Sequence, residues 1–267
     1  LIKGHNFGRN DTRNNAWRNL KLGGDNTNFN TEIYDTNNID VNQTINVPNG
    51  KYVLEVQGYY RNGTKENSAA AHLNGTEKLL TKAYANSVEA PLPSIYADAG
   101  KVDVGTTTNG INGKFPNGQG DASAFFSAGA YNLTLDPVVV SDGTLKIGVK
   151  KTEKVDADWA CFDNFRLTYY GEVTDVAVFK EAYEAALAAA KAAVSDDTYA
   201  EVAGDERTAL TAAIDANSTV AEETKDAYVA ATTALNEATN TFKCAKDAYV
   251  ALATAKAQYK DFDVAAY

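Results

Sequence analysis

The chain has 267 residues, enough for two ordinary domains with a core each, and its 44% hydrophobic and 22% charged content fits a chain that folds in water. Its formal net charge of −10 argues against nucleic acid or an anionic membrane surface as partner. No apolar run approaches the ~20 residues that span a bilayer, so no membrane insertion is expected.

The acidity is uneven. Residues 1–172 carry 17 Lys/Arg and 19 Asp/Glu, whereas residues 173–267 carry 8 and 16. The start, Leu1-Ile2-Lys3-Gly4, lacks the pattern of a signal peptide and has no Met, so the chain is read as a segment of a larger protein with neighbouring domains as partners. The two cysteines, Cys161 and Cys244, form no metal-binding motif; they could pair between the halves or remain free thiols.

Residues 1–172 read as β. Ile39–Val47 alternates apolar and polar, and Pro48-Asn49-Gly50 supplies a turn. Lys51–Arg61 follows as a strand, with Tyr52, Leu54, Val56 and Tyr60 on one face and Tyr59 pointing the other way. Ala69–Leu73 and Glu77–Leu80 around Asn74-Gly75 suggest a hairpin. Ser87–Gly120 reads as a long loop and a candidate rim for a binding site. Pro137–Val140 and Thr144–Lys150 around Ser141-Asp142-Gly143 form another strand pair. In Trp159–Tyr170, the residues Trp159, Cys161, Asp163, Phe165, Leu167 and Tyr169 fall on one face, broken only by Asp163. Many short strands between turns predict a sandwich.

Composition changes at Gly171-Glu172. Asp175–Val194 is an Ala-rich amphipathic helix, and a second, shorter helix opens at Gly204-Asp205. Thr219 and Glu222 fit a capping box for a long third helix. There Tyr228, Leu235, Phe242 and Tyr249 recur every seven residues, as do Ala231, Ala238, Ala245, Leu252 and Tyr259. The first two helices are too short to cover it, so the helix either breaks near Asn240 or packs its far end on something outside this segment.

Two stretches carry a family resemblance. Gln43-Thr44-Ile45 through Leu54, with Tyr59-Tyr60-Arg61-Asn62-Gly63, and the closing Asp158–Gly171 are similar to galactose-binding-like β-sandwich modules of surface glycan-utilisation proteins of gut bacteria. The resemblance implies a jelly-roll sandwich over 1–172, carbohydrate-binding ancestry, and an extracellular, cell-surface or periplasmic location. Phe179…Tyr183…Leu187 with Ala spacers makes residues 173–267 similar to FIVAR three-helix bundles. Related sandwich modules often hold a structural Ca²⁺ through a closing-strand carboxylate, which would make Asp163 a ligand with Glu32, Asp35 or backbone carbonyls. The alternative for Asp163 is a hydrogen bond to backbone or a basic side chain.

No motif selects a catalytic set. The two histidines, His5 and His72, lie outside any nucleophile elbow, and the glycines form no phosphate loop. The expected function is non-catalytic binding of a glycan or polysaccharide. An exposed aromatic ring would stack on a sugar face beside side chains that pair with hydroxyls. Trp17, Tyr34, Tyr59, Arg61 and Tyr96 are the candidates. The competing reading is a structural or protein-binding spacer without a sugar site.

Overall fold

The computed structural model describes residues 1–8, 12–20, 30–36, 38–197 and 204–258. The chain divides into two compact units, Leu1–Glu172 and Val173–Tyr267.

The first unit holds two antiparallel sheets. Strands β1 (Thr31–Tyr34), β9 (Trp159–Tyr169), β3 (Gly50–Arg61) and β6 (Asn132–Thr134) form one in that order, and β7 (Val138–Val140) also pairs with β3. The other runs β2 (Ile39–Asn46), β8 (Thr144–Lys151), β4 (Lys82–Ala85) and β5 (Val88–Pro91). Between them lies an apolar core that includes Val41, Ile45, Leu54, Val56, Ile147, Val149 and Phe162. On the other face of that sheet, Gly148 leaves room for the Tyr84 ring, which Lys146 and Lys150 flank. A Cβ there would lie 2.4 Å from the Val41 carbonyl oxygen and 3.0 Å from the Tyr84 ring.

The expected pair of strands around Ser141-Asp142-Gly143 is corrected. β7 pairs with β3, whereas β8 pairs with β2 and β4, so the turn carries the chain from one sheet to the other. The hairpin expected at residues 69–80 is also corrected. Thr64 caps a helix, α1 (Lys65–Leu73), by accepting from the Asn67 N–H at 3.3 Å. Asn74-Gly75 ends it: Gly75 has φ +69°, and Gly75 and Thr76 donate to the His72 and Ala71 carbonyls. The Ala69-Ala70-Ala71 run favours helix, and the turn pair serves as its stop.

A third layer covers the outer face of the five-stranded sheet. Ile95, Tyr96 and Phe115 from the long connection, with Phe125 and Phe126 from α2 (Gln119–Ser127), bury Tyr59, Trp159 and Cys161 in a second apolar cluster. The predicted loop is therefore mostly a cover.

One fully buried polar clamp joins β3, β8 and the approach to β9. Lys151 Nζ donates to both Asp158 oxygens, at 2.7 and 2.5 Å, and Tyr60 donates to Oδ2 at 2.7 Å. Burial and the adjoining Asp158 carboxylate raise the Tyr60 hydroxyl pKa well above its usual value.

In the second unit, α3 (Val176–Ser195), α4 (Asp205–Ala216) and α5 (Lys225–Gln258) pack pairwise. Asp175 caps α3. The cap of α5 is Thr224, which accepts from the Ala227 N–H at 3.3 Å, and not Thr219 as the sequence suggested. α5 continues through Asn240 without a break. The expected seam position Tyr259 lies outside the described residues.

Lys151→Met leaves the Asp158 carboxylate buried without its cation and is expected to cost about 3–5 kcal/mol. Tyr60→Phe, which removes one bond to a charged acceptor, is expected to cost about 1.5–3 kcal/mol. Urea unfolding of the two variants beside the parent protein measures both.

Candidate functional site

Strand β9 carries a bulge that decides what faces outward. Glu55 pairs with Arg166 and Gln57 with Asp163, so Val56 alone opposes both Asn164 and Phe165. Asn164 takes up the extra residue with φ +52°, a conformation asparagine tolerates better than most residues. The alternation along β9 inverts there. Trp159 and Cys161 belong to the outer cluster, whereas Phe165 joins the core between the sheets. The expectation of one apolar face from Trp159 to Tyr169 is corrected by this single inserted residue.

Beside the bulge lies a cleft of about 230 Å³, lined by Glu55, Gln57, Asn132, Asn164 and Arg166 with Phe126 and Leu133 among its apolar contacts. Its polar wall is preorganised. The Gln57 amide donates to the carbonyls of Phe126 and Ala130 at 3.0 and 2.9 Å, fixing its plane. Its oxygen accepts from Asn164 Nδ2 at 2.6 Å, and an amide so engaged keeps its own oxygen as an acceptor. Asn132 donates to the Gly129 carbonyl at 2.7 Å. Arg166 and Asn164 are exposed and Glu55 is half-buried. The cleft thus offers carboxylate, amide and guanidinium groups on strands fixed by two cores.

The stacking candidates are distributed differently from the sequence expectation. Trp17 is buried, donates to the Lys3 carbonyl at 2.8 Å, and packs on Phe7 and Phe165 with ring centroids 5.1 and 4.8 Å away. Tyr59 is sealed in the outer cluster beside Cys161. Tyr96 is also buried; its hydroxyl meets Ser68 Oγ at 2.6 Å and donates to the Lys65 carbonyl. Arg61 donates to the Gly63 and Ala157 carbonyls and lies over the Trp159 ring. In the structure these four pack and anchor, with their faces or donors already occupied. Tyr34, 55% exposed at the end of edge strand β1, keeps an open ring. It is not among the residues lining the cleft.

The proposed calcium ligands do not converge on a site. Glu32 accepts from Trp159 Nε1 at 2.8 Å, and Asp163 Oδ1 accepts from the Asn164 N–H at 2.7 Å. Among the described residues, no three His, Cys, Asp or Glu side chains gather as a metal-binding group. Asp163 instead sits under the outer layer, where loss of water pushes its pKa up to about 8, only partly opposed by the Asn164 N–H.

One constellation resembles a hydrolase set in composition. Glu77 lies 2.8 Å from His72 Nδ1, and Ser94 Oγ donates to Glu77 at 2.8 Å. Ser94 is also 3.4 Å from that same Nδ1. A relay needs the hydroxyl and the carboxylate on opposite ring nitrogens, whereas here both address one. The arrangement ties the end of α1 to the segment after β5. Cys161 is buried, with its thiol pKa raised by burial, while Cys244 is exposed; both are free. Among the described residues, no helix is long and apolar enough to cross a membrane.

No family model matches the chain, and no curated protein matches it. Among solved structures, it is similar to TmCBM61, a carbohydrate-binding module determined with β-1,4-galactotriose, at 13% identity and a TM-score of 0.27 over 58% of this chain and 83% of that one. A likeness that weak carries no argument about ligand.

The Asp163 carboxyl holds its proton more tightly folded than unfolded. Stability is therefore expected to fall as pH rises from about 4 to about 8, by at most about 1.4 kcal/mol per pH unit, and to level off above that. Asp163→Asn should flatten this slope and raise the melting temperature above about pH 5, with little effect near pH 3. Parallel melting-temperature profiles for the two proteins across pH 3–9 would refute the assignment.

Proposed function

We propose that the sandwich unit is a non-catalytic carbohydrate-binding module and that the helical unit is its spacer, together a segment of a secreted or cell-surface bacterial protein. The observation that carries this reading is the polar cleft at the β9 bulge, where Glu55, Gln57, Asn132, Asn164 and Arg166 meet on rigid strands. A sugar presents closely spaced hydroxyls that both donate and accept. Paired amides flanked by a carboxylate and a guanidinium match that pattern, and the Leu133 and Phe126 contacts suit the apolar C–H edge of the ring. The motif resemblance to galactose-binding-like modules supports the same reading and a jelly-roll ancestry for the sandwich.

Phe126 is only 4% exposed, so the cleft lacks an open stacking ring, and binding would rest on hydrogen bonds. Such a site is weak alone and gains useful affinity through multivalency. The burial of Trp17, Tyr59 and Tyr96 favours the second reading, a structural or protein-binding spacer with no sugar site.

Screening the whole chain on a glycan array, followed by calorimetry on any hit, separates the two. A hit is expected, and Arg166→Ala should weaken it by about tenfold or more, the loss of a charge-assisted hydrogen bond. Tyr34→Ala, away from the cleft, should leave it unchanged. Absence of binding at millimolar glycan would move the assignment to the spacer.

A further inference from the structure

The helical unit has an apolar seam longer than its own cover. α5 is 34 residues, about 51 Å, while α3 and α4 have 20 and 12 residues, about 30 and 18 Å. Tyr228, Ala231, Leu235 and Phe242 on the seam are buried, but Tyr249 is 42% and Leu252 50% exposed one and two steps further on. The covered and uncovered parts repeat each other. Lys225-Asp226-Ala227-Tyr228-Val229-Ala230 returns as Lys246-Asp247-Ala248-Tyr249-Val250-Ala251. In the covered copy, Tyr228 packs on Tyr183, with ring centroids 5.6 Å apart, and Tyr183 ends the related run Lys180-Glu181-Ala182-Tyr183. This motif thus meets its own kind across a helix pair in the fold, and in its third copy Tyr249 is exposed.

Charge indicates the orientation. Residues 173–241 carry 4 basic and 13 acidic side chains, whereas residues 242–258 carry Lys243, Lys246 and Lys256 against Asp247 alone. The uncovered part of α5 emerges at the end of the unit where α3 stops and α4 starts, and Asp197, Asp205 and Glu206 lie there. We propose that a second copy of this chain covers the seam, as a two-fold antiparallel dimer of the α5 ends. Residues 243–258 form an arm of about 24 Å. A dyad between residues 250 and 251 sets Tyr249 against the partner's Leu252, and the reverse. It also brings the end of the arm that holds Lys256 to the partner's acidic collar. A parallel pair would place the lysines of the two arms level with one another.

Sedimentation velocity of the whole chain from about 10 to about 500 μM tests this. A dimer fraction that grows with concentration is expected. Tyr249→Asp should raise its Kd about tenfold or more, with helical circular dichroism and melting at low concentration unchanged. Lys256→Glu should raise it less, by severalfold. In a Cys244→Ser background, Ala245→Cys with Lys256→Cys should oxidise to a dimer linked from position 245 to the partner's position 256. A monomer at every concentration, or association that Tyr249→Asp leaves intact, overturns the dimer. A link from 245 to 245 overturns its antiparallel register.

Discussion

The extra residue at Asn164 is the constraint on which the β unit turns. Two packed layers lie on opposite faces of the same sheet, and β9 must feed both. A strand of strict alternation would send Phe165 into the outer layer with Trp159 and Cys161. The bulge lets the same strand deliver Trp159 outward and Phe165 inward, so each layer receives its large apolar side chain. It also bends the backbone where Gln57 and Asn164 join, and the cleft opens at that bend. Asp163, the last residue before the inversion, is left under the cover with one backbone donor. Its raised pKa follows from the same placement.

The outer layer explains why an aromatic-rich chain exposes so few rings on the sandwich. Tyr59, Tyr131, Phe126 and Trp159 pack edge to face and obliquely at 4.9–6.4 Å between centroids, a mode that gains both buried area and ring geometry. The buried aromatics are needed because the long connection contributes little regular structure of its own. It is held to the sheet by side chains and by a few backbone bonds, such as Tyr60 N–H to the Pro93 carbonyl and Ile95 N–H to the Tyr60 carbonyl. On the other side of β3, the clamp from Lys151 through Asp158 to Tyr60 fixes the same strand end with charge in place of apolar contact.

Much of the architecture is legible in the sequence because it rests on local periodicity. The alternation in Ile39–Val47 and Lys51–Arg61, and the helical spacing of Phe179, Tyr183 and Leu187, appear as strands and helix. What is illegible depends on a second partner. Asn74-Gly75 reads equally well as a hairpin turn or a helix stop, and only the Thr64 cap and the three alanines decide. Alternation places Tyr59 on the face opposite Tyr60, as the structure does, but it cannot tell solvent from a further layer. The cleft was missed because its residues are spread over Glu55–Gln57, Asn132 and Asn164–Arg166. Asn164 and Glu55 each look like ordinary surface polars. A polar, turn-prone Asn between Phe162 and Phe165 is the one available signal, and it marks the bulge.

A cleft built from hydrogen-bonding groups without an exposed ring has a definite consequence for recognition. Stacking supplies affinity that tolerates many sugars, whereas hydroxyl pairing supplies discrimination, because a misplaced hydroxyl leaves a donor or acceptor unmatched. On the proposed function the cleft would be selective and weak, a weakness that copy number overcomes. Among the described residues, the sandwich carries this cleft and the helical unit carries the exposed Tyr249 and Leu252 of its seam. Pairing through the seam doubles the clefts without changing either one. The repeat of Lys-Asp-Ala-Tyr-Val-Ala along α5 fits the proposed pairing, since Tyr228 of the first copy packs inside the helical unit and Tyr249 of the second is exposed.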